Sequence, residues 1–220
     1  MSSPSLSREI FGRRFQNPLL LAAGTAGFGR ELDGIMDLDR LGGLVTKAVS
    51  IEPRHGNPPP RAAEFSGGML NSVGLANPGV ERVRAEYLPW LADHLDRAQV
   101  LVNVVGFTVE EYGEVVARLE GSPAIAAFEL NLSCPNASAG GIEFGAEAGC
   151  VRRIVSTCRT RTTLPLVAKL SPVLPDIGAM ALVARDAGAD AISVVNTFPG
   201  LLYGGDGRLR LGQGSGGISG

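Results

Sequence analysis

VLVNVVGFTVEEYGEVVARLEGSPAIAAFELNL, residues 100–132, contains the strand–helix–strand unit that decides the fold. Its two ends, 100–106 and 126–132, are short apolar runs typical of buried strands. Between them, residues 108–121 carry apolar side chains three and four positions apart, which is the period of an amphipathic helix. A strand, a helix and a strand in this order predict two parallel strands with the helix packed outside them.

The same alternation continues on both sides of this unit. Further strands are expected at 18–24, 43–49, 165–171 and 191–197. Further helices are expected at 79–95, 145–160 and 175–188. Two short segments near the start, REIFG and RRFQN, predict a hairpin across the bottom of the sheet. The pattern predicts an α/β fold of the parallel-barrel type, in a single domain of residues 1–220.

The connection from residue 50 to residue 78 is longer than the others. It contains IEPRHGNPPPR and SGGMLNSVGLANPG, and no helical period. Loops of this length are usually lids or binding loops. We therefore expect it to contribute to a binding site.

Composition argues against several classes of protein. A formal net charge of −2 and a pI near 5.8 argue against nucleic acid as the main partner. No apolar run approaches the roughly 18 residues that a membrane span needs. The first residues, MSSPSLSREIFGRR, lack the apolar core of a secretory signal. We therefore expect a cytoplasmic protein that does not bind a membrane.

The cysteines and histidines do not predict a metal site. Cys134, Cys150 and Cys158 form no CxxC pair and no even disulfide set, which favours a reducing compartment. An iron–sulfur cluster held by this chain alone is therefore not expected. His55 and His94 stand alone, and no HExxH motif is present, so we expect no metal.

Polar side chains lie at the carboxyl ends of the predicted strands. They are Lys47, Asn103, Asn131, Lys169 and Asn196. Only two of the 20 basic residues are lysines, and both interrupt apolar runs. Because the carboxyl ends of parallel barrel strands meet on one face, these groups predict a site at that face. Ammonium and amide groups suit a ligand rich in carbonyl, imide and carboxylate oxygens.

A cysteine follows one of these strand ends, in FELNLSCPNASAGG, residues 128–141. Cys134 lies in a loop between polar residues, where catalytic groups are common, whereas a structural cysteine is usually buried. By contrast, Cys150 and Cys158 lie in a predicted helix and are expected to be packing residues. The glycines of GTAGFGRE, residues 24–31, have the wrong spacing for a dinucleotide fingerprint, so NAD binding in a Rossmann manner is not expected.

Three motifs together resemble the class 1 dihydroorotate dehydrogenases. They are GNPPPR at 56–61, MLNSVGLANPG at 69–79 and NLSCPN at 131–136. The proline-rich segment is most similar to the B subtype, the catalytic subunit of NAD-linked enzymes, and the likeness runs from residue 15 to residue 220. The resemblance implies a TIM (β/α)8 barrel that uses FMN to oxidise dihydroorotate to orotate in pyrimidine (UMP) biosynthesis.

The resemblance also implies roles for individual residues. Cys134 would be the catalytic base. The substrate would be bound by Lys47, Asn71, Ser72, Val73, Gly74, Leu75, Asn131, Asn136, Asn196 and Thr197. FMN would be bound by Ala23, Lys47, Ala48, Asn103, Asn131, Lys169, Val195 and Gly220. The family usually has a serine where this chain has Ala23, so a contact there would use the backbone.

The resemblance implies partners as well. FAD and a 2Fe-2S cluster would be carried by a separate electron-transfer subunit that passes electrons to NAD, and the chain would form a homodimer. Family members are longer, so only the first six βα units are expected here, without the last two. Two alternatives stay open: a fumarate-linked class 1 enzyme, and a non-catalytic truncated remnant.

Overall fold

The computed structural model describes residues 6–133 and 144–220. The strands in these ranges are β1 (Arg8–Ile10), β2 (Arg13–Phe15), β3 (Leu20–Leu21), β4 (Gly43–Val45), β5 (Ala62–Phe65), β6 (Gly68–Asn71), β7 (Gln99–Val104), β8 (Ile125–Asn131), β9 (Leu166–Lys169), β10 (Ala191–Ser193), β11 (Phe198–Leu201) and β12 (Ser215–Ser219). The α-helices are α1 (Val80–Arg82), α2 (Leu88–His94), α3 (Val109–Leu119), α4 (Ala148–Arg159) and α5 (Ile177–Asp186). A π-helical turn, Val83–Tyr87, joins α1 to α2.

Six of the strands form one parallel sheet in chain order, β3-β4-β7-β8-β9-β10. This confirms the six predicted strands, although each is shorter than, or shifted by a residue from, its apolar run. No helix lies between β3 and β4, where the chain forms 3-10 turns instead. Strands that neighbour one another in sequence order, with helices after β4, β7, β8 and β9, are the arrangement of consecutive units of a TIM barrel.

The two faces of this sheet bury different sets of side chains. The inner face carries a small cluster, which we name the lumen cluster: Phe15, Val45, Leu101, Ala127 and Val167. The outer face carries the large core against the helices, which includes Val102, Phe128 and Ala168. Because successive strand residues point to opposite faces, β7, β8 and β9 each supply both sets.

Two of the helices, α3 and α5, begin after a capping side chain. Thr108 precedes α3 and accepts a hydrogen bond from the Glu111 backbone N–H at 3.2 Å. Asp176 precedes α5 and accepts one from the Ala179 N–H at 2.8 Å. Caps of this kind stabilise a helix by about 1 kcal/mol. None of the helices in the described ranges is long and apolar enough to cross a membrane.

The hairpin of β1 and β2 lies at the amino ends of the parallel strands, as predicted. The Arg13 guanidinium donates to the carbonyl oxygen of Ile125, the first residue of β8, at 3.1 Å. Phe15 of β2, which is 4% exposed, belongs to the lumen cluster and packs there with residues of the parallel sheet. The hairpin therefore covers the end of the sheet that is opposite to the predicted site.

The long connection after β4 is not a simple loop, which corrects the prediction. It contains β5 and β6, which pair with each other, and β6 also pairs with β12 from the connection after β10. The result is a four-stranded antiparallel sheet of order β11-β12-β6-β5. Asn71 of β6 is paired with Gly217 of β12. These short runs were not predicted as strands, and the pairing that joins them into one sheet, β6 with β12, links segments far apart in the chain.

Candidate functional site

The predicted polar residues of β7, β8 and β9 lie on the inner face of the parallel sheet. Asn131 and Lys169 are the last residues of their strands and are paired with each other. Asn103 of β7 is paired with Glu129 of β8. All four lie an even number of residues after members of the lumen cluster, so they share its face toward the carboxyl ends.

Asn103, Glu129 and Lys169 are in contact, and we name them the buried trio. Their residues are 0%, 4% and 9% exposed. Asn103 Nδ2 donates to Glu129 Oε1 at 2.7 Å, and Lys169 Nζ lies 3.7 Å from the same oxygen. Asn103 Oδ1 is buried and has no hydrogen-bond partner among the described residues. A buried acceptor without a partner is rare and costs free energy unless a ligand supplies a donor.

Glu129 was missed by the sequence analysis. The sequence nevertheless indicates it, because Glu129 is a carboxylate inside the apolar run AAFELNL, two positions before Asn131. Charged residues are almost never fully buried unless they are paired. A glutamate on the inward-facing register of a buried strand therefore indicates a partner of opposite charge, which is Lys169.

Asn131 connects β8 to the segment after β10. Its Oδ1 accepts a hydrogen bond from Asn196 Nδ2 at 3.1 Å and one from the Ser133 N–H at 3.3 Å. Its carbonyl oxygen accepts one from the Tyr112 hydroxyl at 2.6 Å. Because both bonds to the side chain use Oδ1, they fix the orientation of the amide group.

A cavity of about 420 Å³ lies between the segment after β10 and the end of β12. Four predicted site residues line it: Val195, Asn196, Thr197 and Gly220. Asn196 lies three residues beyond the end of β10, and its backbone N–H donates to the Leu170 carbonyl at 3.0 Å. The structure thus brings together at one opening residues expected to contact FMN and residues expected to contact substrate.

Asn71 reaches the same region from the long connection. Its Nδ2 donates to the Gly217 carbonyl oxygen at 3.2 Å. A Cβ at Gly217 would overlap the Thr197 side chain, so these three residues are immediate neighbours. Only glycine allows β12 to approach Thr197 this closely.

The residues from Ser72 to Leu75 are held by the proline-rich segment instead. Asn57 Nδ2 donates to Ser72 Oγ at 2.8 Å, and the Asn57 N–H donates to the Val73 carbonyl at 3.1 Å. Gly74 and Leu75 have φ of 73° and 57°. A left-handed leucine costs roughly 1 kcal/mol or more, and such strain is concentrated at functional segments.

The remaining predicted residues lie on other parts of the fold. Lys47 lies two residues beyond β4 and is half-buried; its N–H donates to the Gly27 carbonyl at 2.7 Å, and no ion pair joins it to another described residue. Ala48 is buried in the core against the helices, and Ala23 contacts the lumen cluster. Cys134 and Asn136 lie outside the described residues.

The two cysteines of α4 are buried, as predicted for packing residues. Burial raises the pKa of the Cys158 thiol to about 12. Burial, followed by the hydrogen bond and negative charge of Glu147, also raises the pKa of the Cys150 thiol. A thiol with a raised pKa is almost entirely protonated near neutral pH, so little thiolate is available to act as nucleophile or base. Within the described ranges, no group of three or more acidic, cysteine or histidine side chains could hold a metal ion.

Comparison with known proteins identifies the family. The family model described as dihydroorotate dehydrogenase matches residues 5–220. The chain is 44% identical over 198 residues to a protein of Pelobacter propionicus and 48% identical over 212 residues to one of Desulforudis audaxviator. Both are named dihydroorotate dehydrogenase B (NAD(+)), catalytic subunit. These matches confirm the resemblance to the B subtype.

The matched regions cover most of this chain but only part of each relative. They include 90% of this chain and 64% of the Pelobacter protein, and 96% and 68% for the Desulforudis protein. A crystal structure of a dihydroorotate dehydrogenase from Eimeria tenella in complex with ferulenol superposes with a TM-score of 0.76. It is 22% identical, and the match covers 99% of this chain and 66% of that one, which supports the fold. The chain belongs to the dihydroorotate dehydrogenase family.

Proposed function

We propose that this chain is the catalytic chain of a B-type dihydroorotate dehydrogenase, which oxidises dihydroorotate to orotate in pyrimidine biosynthesis with FMN as cofactor. The observation that carries the proposal is the buried trio, whose Asn103 Oδ1 lacks a partner among the described residues. It lies in a chain that is 44% and 48% identical to two relatives named for this activity. A buried polar group without a partner, at the carboxyl ends of barrel strands, is best explained by a polar ligand.

The residues fit the edge of an isoalloxazine ring. That edge carries an imide N–H between two carbonyl oxygens, so it can donate to Asn103 Oδ1 and accept from Lys169 Nζ. When bound, FMN would supply the hydride acceptor, and a nearby cation would favour its reduction. Under this proposal the cofactor is held by Ala23, Lys47, Ala48, Asn103, Asn131, Lys169, Val195 and Gly220.

The substrate would lie at the cavity beside Asn196 and Thr197. Lys47, which has no ion-pair partner in the described ranges, can bind the carboxylate of the substrate. Amides such as Asn71, Asn131 and Asn196 can both donate and accept, which suits a ring with imide and carbonyl groups. Ser72, Val73, Gly74, Leu75, Asn136 and Thr197 complete the proposed set.

Cys134 is the proposed catalytic base. Its sulfur would take the proton from C5 of dihydroorotate while hydride leaves C6 and the C5=C6 double bond of orotate forms. A free thiol with a pKa near 8.5 is a weak base at neutral pH, so a nearby cation would increase the thiolate fraction. Cys150 and Cys158 are excluded from this role by their burial on α4 and their raised pKa values.

Electron transfer to NAD would require a partner. The three cysteines of this chain contain no cluster motif, so we propose a separate subunit that carries FAD and a 2Fe-2S cluster. The names of the relatives, with "NAD(+)" and "catalytic subunit", support this arrangement. We propose further that the chain forms a homodimer and acts in the cytoplasm.

The test begins with the purified chain and FMN. Under the proposal the chain binds FMN, turns yellow, and loses its visible absorbance when dihydroorotate is added without oxygen. Reoxidation is then compared with fumarate alone and with NAD plus the partner subunit. Turnover with fumarate alone favours the fumarate-linked alternative. A folded chain that takes up no FMN favours the non-catalytic remnant.

A further inference from the structure

Glu129 is a buried carboxylate to which the proposed function assigns no role. Its side chain is 5% exposed, and it lies on the inner face of β8 between two residues of the proposed flavin site, Asn103 and Lys169. Transfer of a carboxylate out of water is strongly unfavourable unless it is paired and hydrogen-bonded. The burial of Glu129 therefore depends on compensation by Asn103 and Lys169, and these two contacts suggest a role for it.

The first contact determines the orientation of the Asn103 amide. An ionised carboxylate only accepts hydrogen bonds, so Asn103 must direct its NH2 group toward Glu129, as the 2.7 Å contact requires. The opposite orientation would place two acceptor oxygens against each other. Glu129 thereby makes the remaining end of Asn103, Oδ1, a hydrogen-bond acceptor.

The second contact concerns the charge of Lys169. The ammonium nitrogen lies 3.7 Å from Glu129 Oε1, which is close enough for strong attraction but longer than a hydrogen bond. The protons of Nζ are therefore not used by Glu129 and can be donated to a ligand. The carboxylate nevertheless compensates part of the positive charge that the ligand would experience.

We propose that Glu129 is a positioning residue for the bound flavin. It holds Asn103 as an acceptor for a ring N–H, and it limits how strongly Lys169 stabilises negative charge on the ring. This inference rests on the FMN site of the proposed function. It adds a residue that sets both the hydrogen-bond polarity of the site and the reduction potential of the cofactor.

Two substitutions separate these effects. Glu129→Gln removes the negative charge but retains a carbonyl oxygen that can accept from Asn103 Nδ2. Glu129→Leu removes the charge and the acceptor together. The matched control is Glu114→Gln, because Glu114 lies on the outer helix α3, its side chain is 49% exposed, and it pairs only with Arg118 among the described residues.

The experiment measures three quantities on the full chain loaded with FMN. They are the dissociation constant of FMN, the two-electron midpoint potential, and the affinity for sulfite, which adds a negative charge to the oxidised ring. Glu129→Gln should bind FMN within about threefold of the original chain and bind sulfite about tenfold more tightly, since a buried cation loses its counter-charge. If the two-electron reduction of bound FMN also becomes tenfold more favourable, its midpoint potential rises by about 30 mV.

Glu129→Leu should weaken FMN binding at least about tenfold, since Asn103 loses its fixed orientation. The inference is overturned if Glu129→Gln leaves both the sulfite affinity and the potential equal to those of Glu114→Gln, even when its melting temperature falls. If the leucine variant does not fold, the glutamine variant alone decides. If the original chain folds but does not bind FMN, the proposed function and this inference are both overturned. If Glu129→Gln binds FMN but its sulfite affinity and midpoint potential are unchanged, only this inference is overturned.

Discussion

Asn196 Nδ2 donates to Asn131 Oδ1 at 3.1 Å, and this bond joins the segment after β10 to the end of β8 across 65 positions of sequence. Both residues belong to the proposed substrate site, and Asn196 also lines the cavity next to β12. The bond therefore ties the inner face of the parallel sheet to the segment that leads from β10 into the antiparallel sheet. It makes the position of one proposed substrate contact dependent on the other.

Asn196→Ala should weaken orotate binding about tenfold and change the free energy of unfolding by only about 1 kcal/mol. The substitution removes one hydrogen bond to a partly buried amide, which contributes this little to stability, but it also frees Asn131 to rotate. The checks are an orotate titration and urea denaturation. Unchanged orotate affinity would contradict the placement of the substrate beside Asn196.

Glu129→Gln and Lys169→Met should each lower the free energy of unfolding by about 3 kcal/mol, because each leaves a buried charge without its partner. The double variant should be destabilised by less than the sum, with a coupling of at least about 1 kcal/mol. Urea denaturation of the original chain, the two single variants and the double variant completes this double-mutant cycle. Additive costs would show that the 3.7 Å approach of Lys169 to Glu129 contributes no net attraction.

Asp39 should make the fold sensitive to acid. Burial raises the pKa of its carboxyl, but hydrogen bonds from the Ala98 and Arg97 backbone N–H groups and from the Arg97 guanidinium outweigh burial and hold the pKa below its usual value. A carboxyl with a lower pKa in the folded state stabilises that state above the unfolded pKa, about 4, and loses this contribution as the pH falls through the folded pKa.

Asp39→Asn should therefore lower the free energy of unfolding by about 1 kcal/mol at pH 7. The difference from the original chain should shrink below about pH 4, where the unfolded chain takes up a proton on Asp39 before the folded chain does. Denaturation curves from pH 7 to pH 3 measure it. A difference that is the same at both ends of this range would refute the assigned role of the carboxylate.

The three thiols should differ in their reaction with a disulfide reagent. At pH 8 a thiol with a pKa of about 12 has about one part in ten thousand as thiolate, so buried Cys158 should not react in the folded chain. Cys150 should react slowly, and Cys134, which the sequence predicts to be in a loop, should react first. In denaturant all three should react. Rapid labelling of Cys158 in the folded chain, located by peptide mass, would contradict its burial.

Cys134→Ala should abolish the bleaching of bound FMN by dihydroorotate without loss of FMN, since only the proposed base is removed. Cys158→Ala is the matched control: it should retain bleaching and lose about 1 kcal/mol of stability, because it removes a small buried side chain from α4. The measurement is anaerobic absorbance after dihydroorotate is added. Equal loss of bleaching in both variants would exclude a specific role for Cys134.

The sequence by itself determined the order of the six parallel strands, the four outer helical segments and the hairpin at the amino ends. These features depend on local periodicity and on turn and capping residues, such as Thr108 and Asp176, which are visible within a few positions. It also indicated that Asn131 and Lys169 lie together, because the carboxyl ends of parallel strands share an edge.

Only the tertiary structure decided the rest. The pairing of Asn71 with Gly217 joins residues 146 positions apart, and nothing local in either short run requires it. The proposed role of Glu129 depends on Asn103 of β7 and Lys169 of β9, which the fold places on either side of it. The physical reason is the same in both cases: the energy of a buried polar group or a short strand is set by the partner opposite it, and that partner is chosen by the fold.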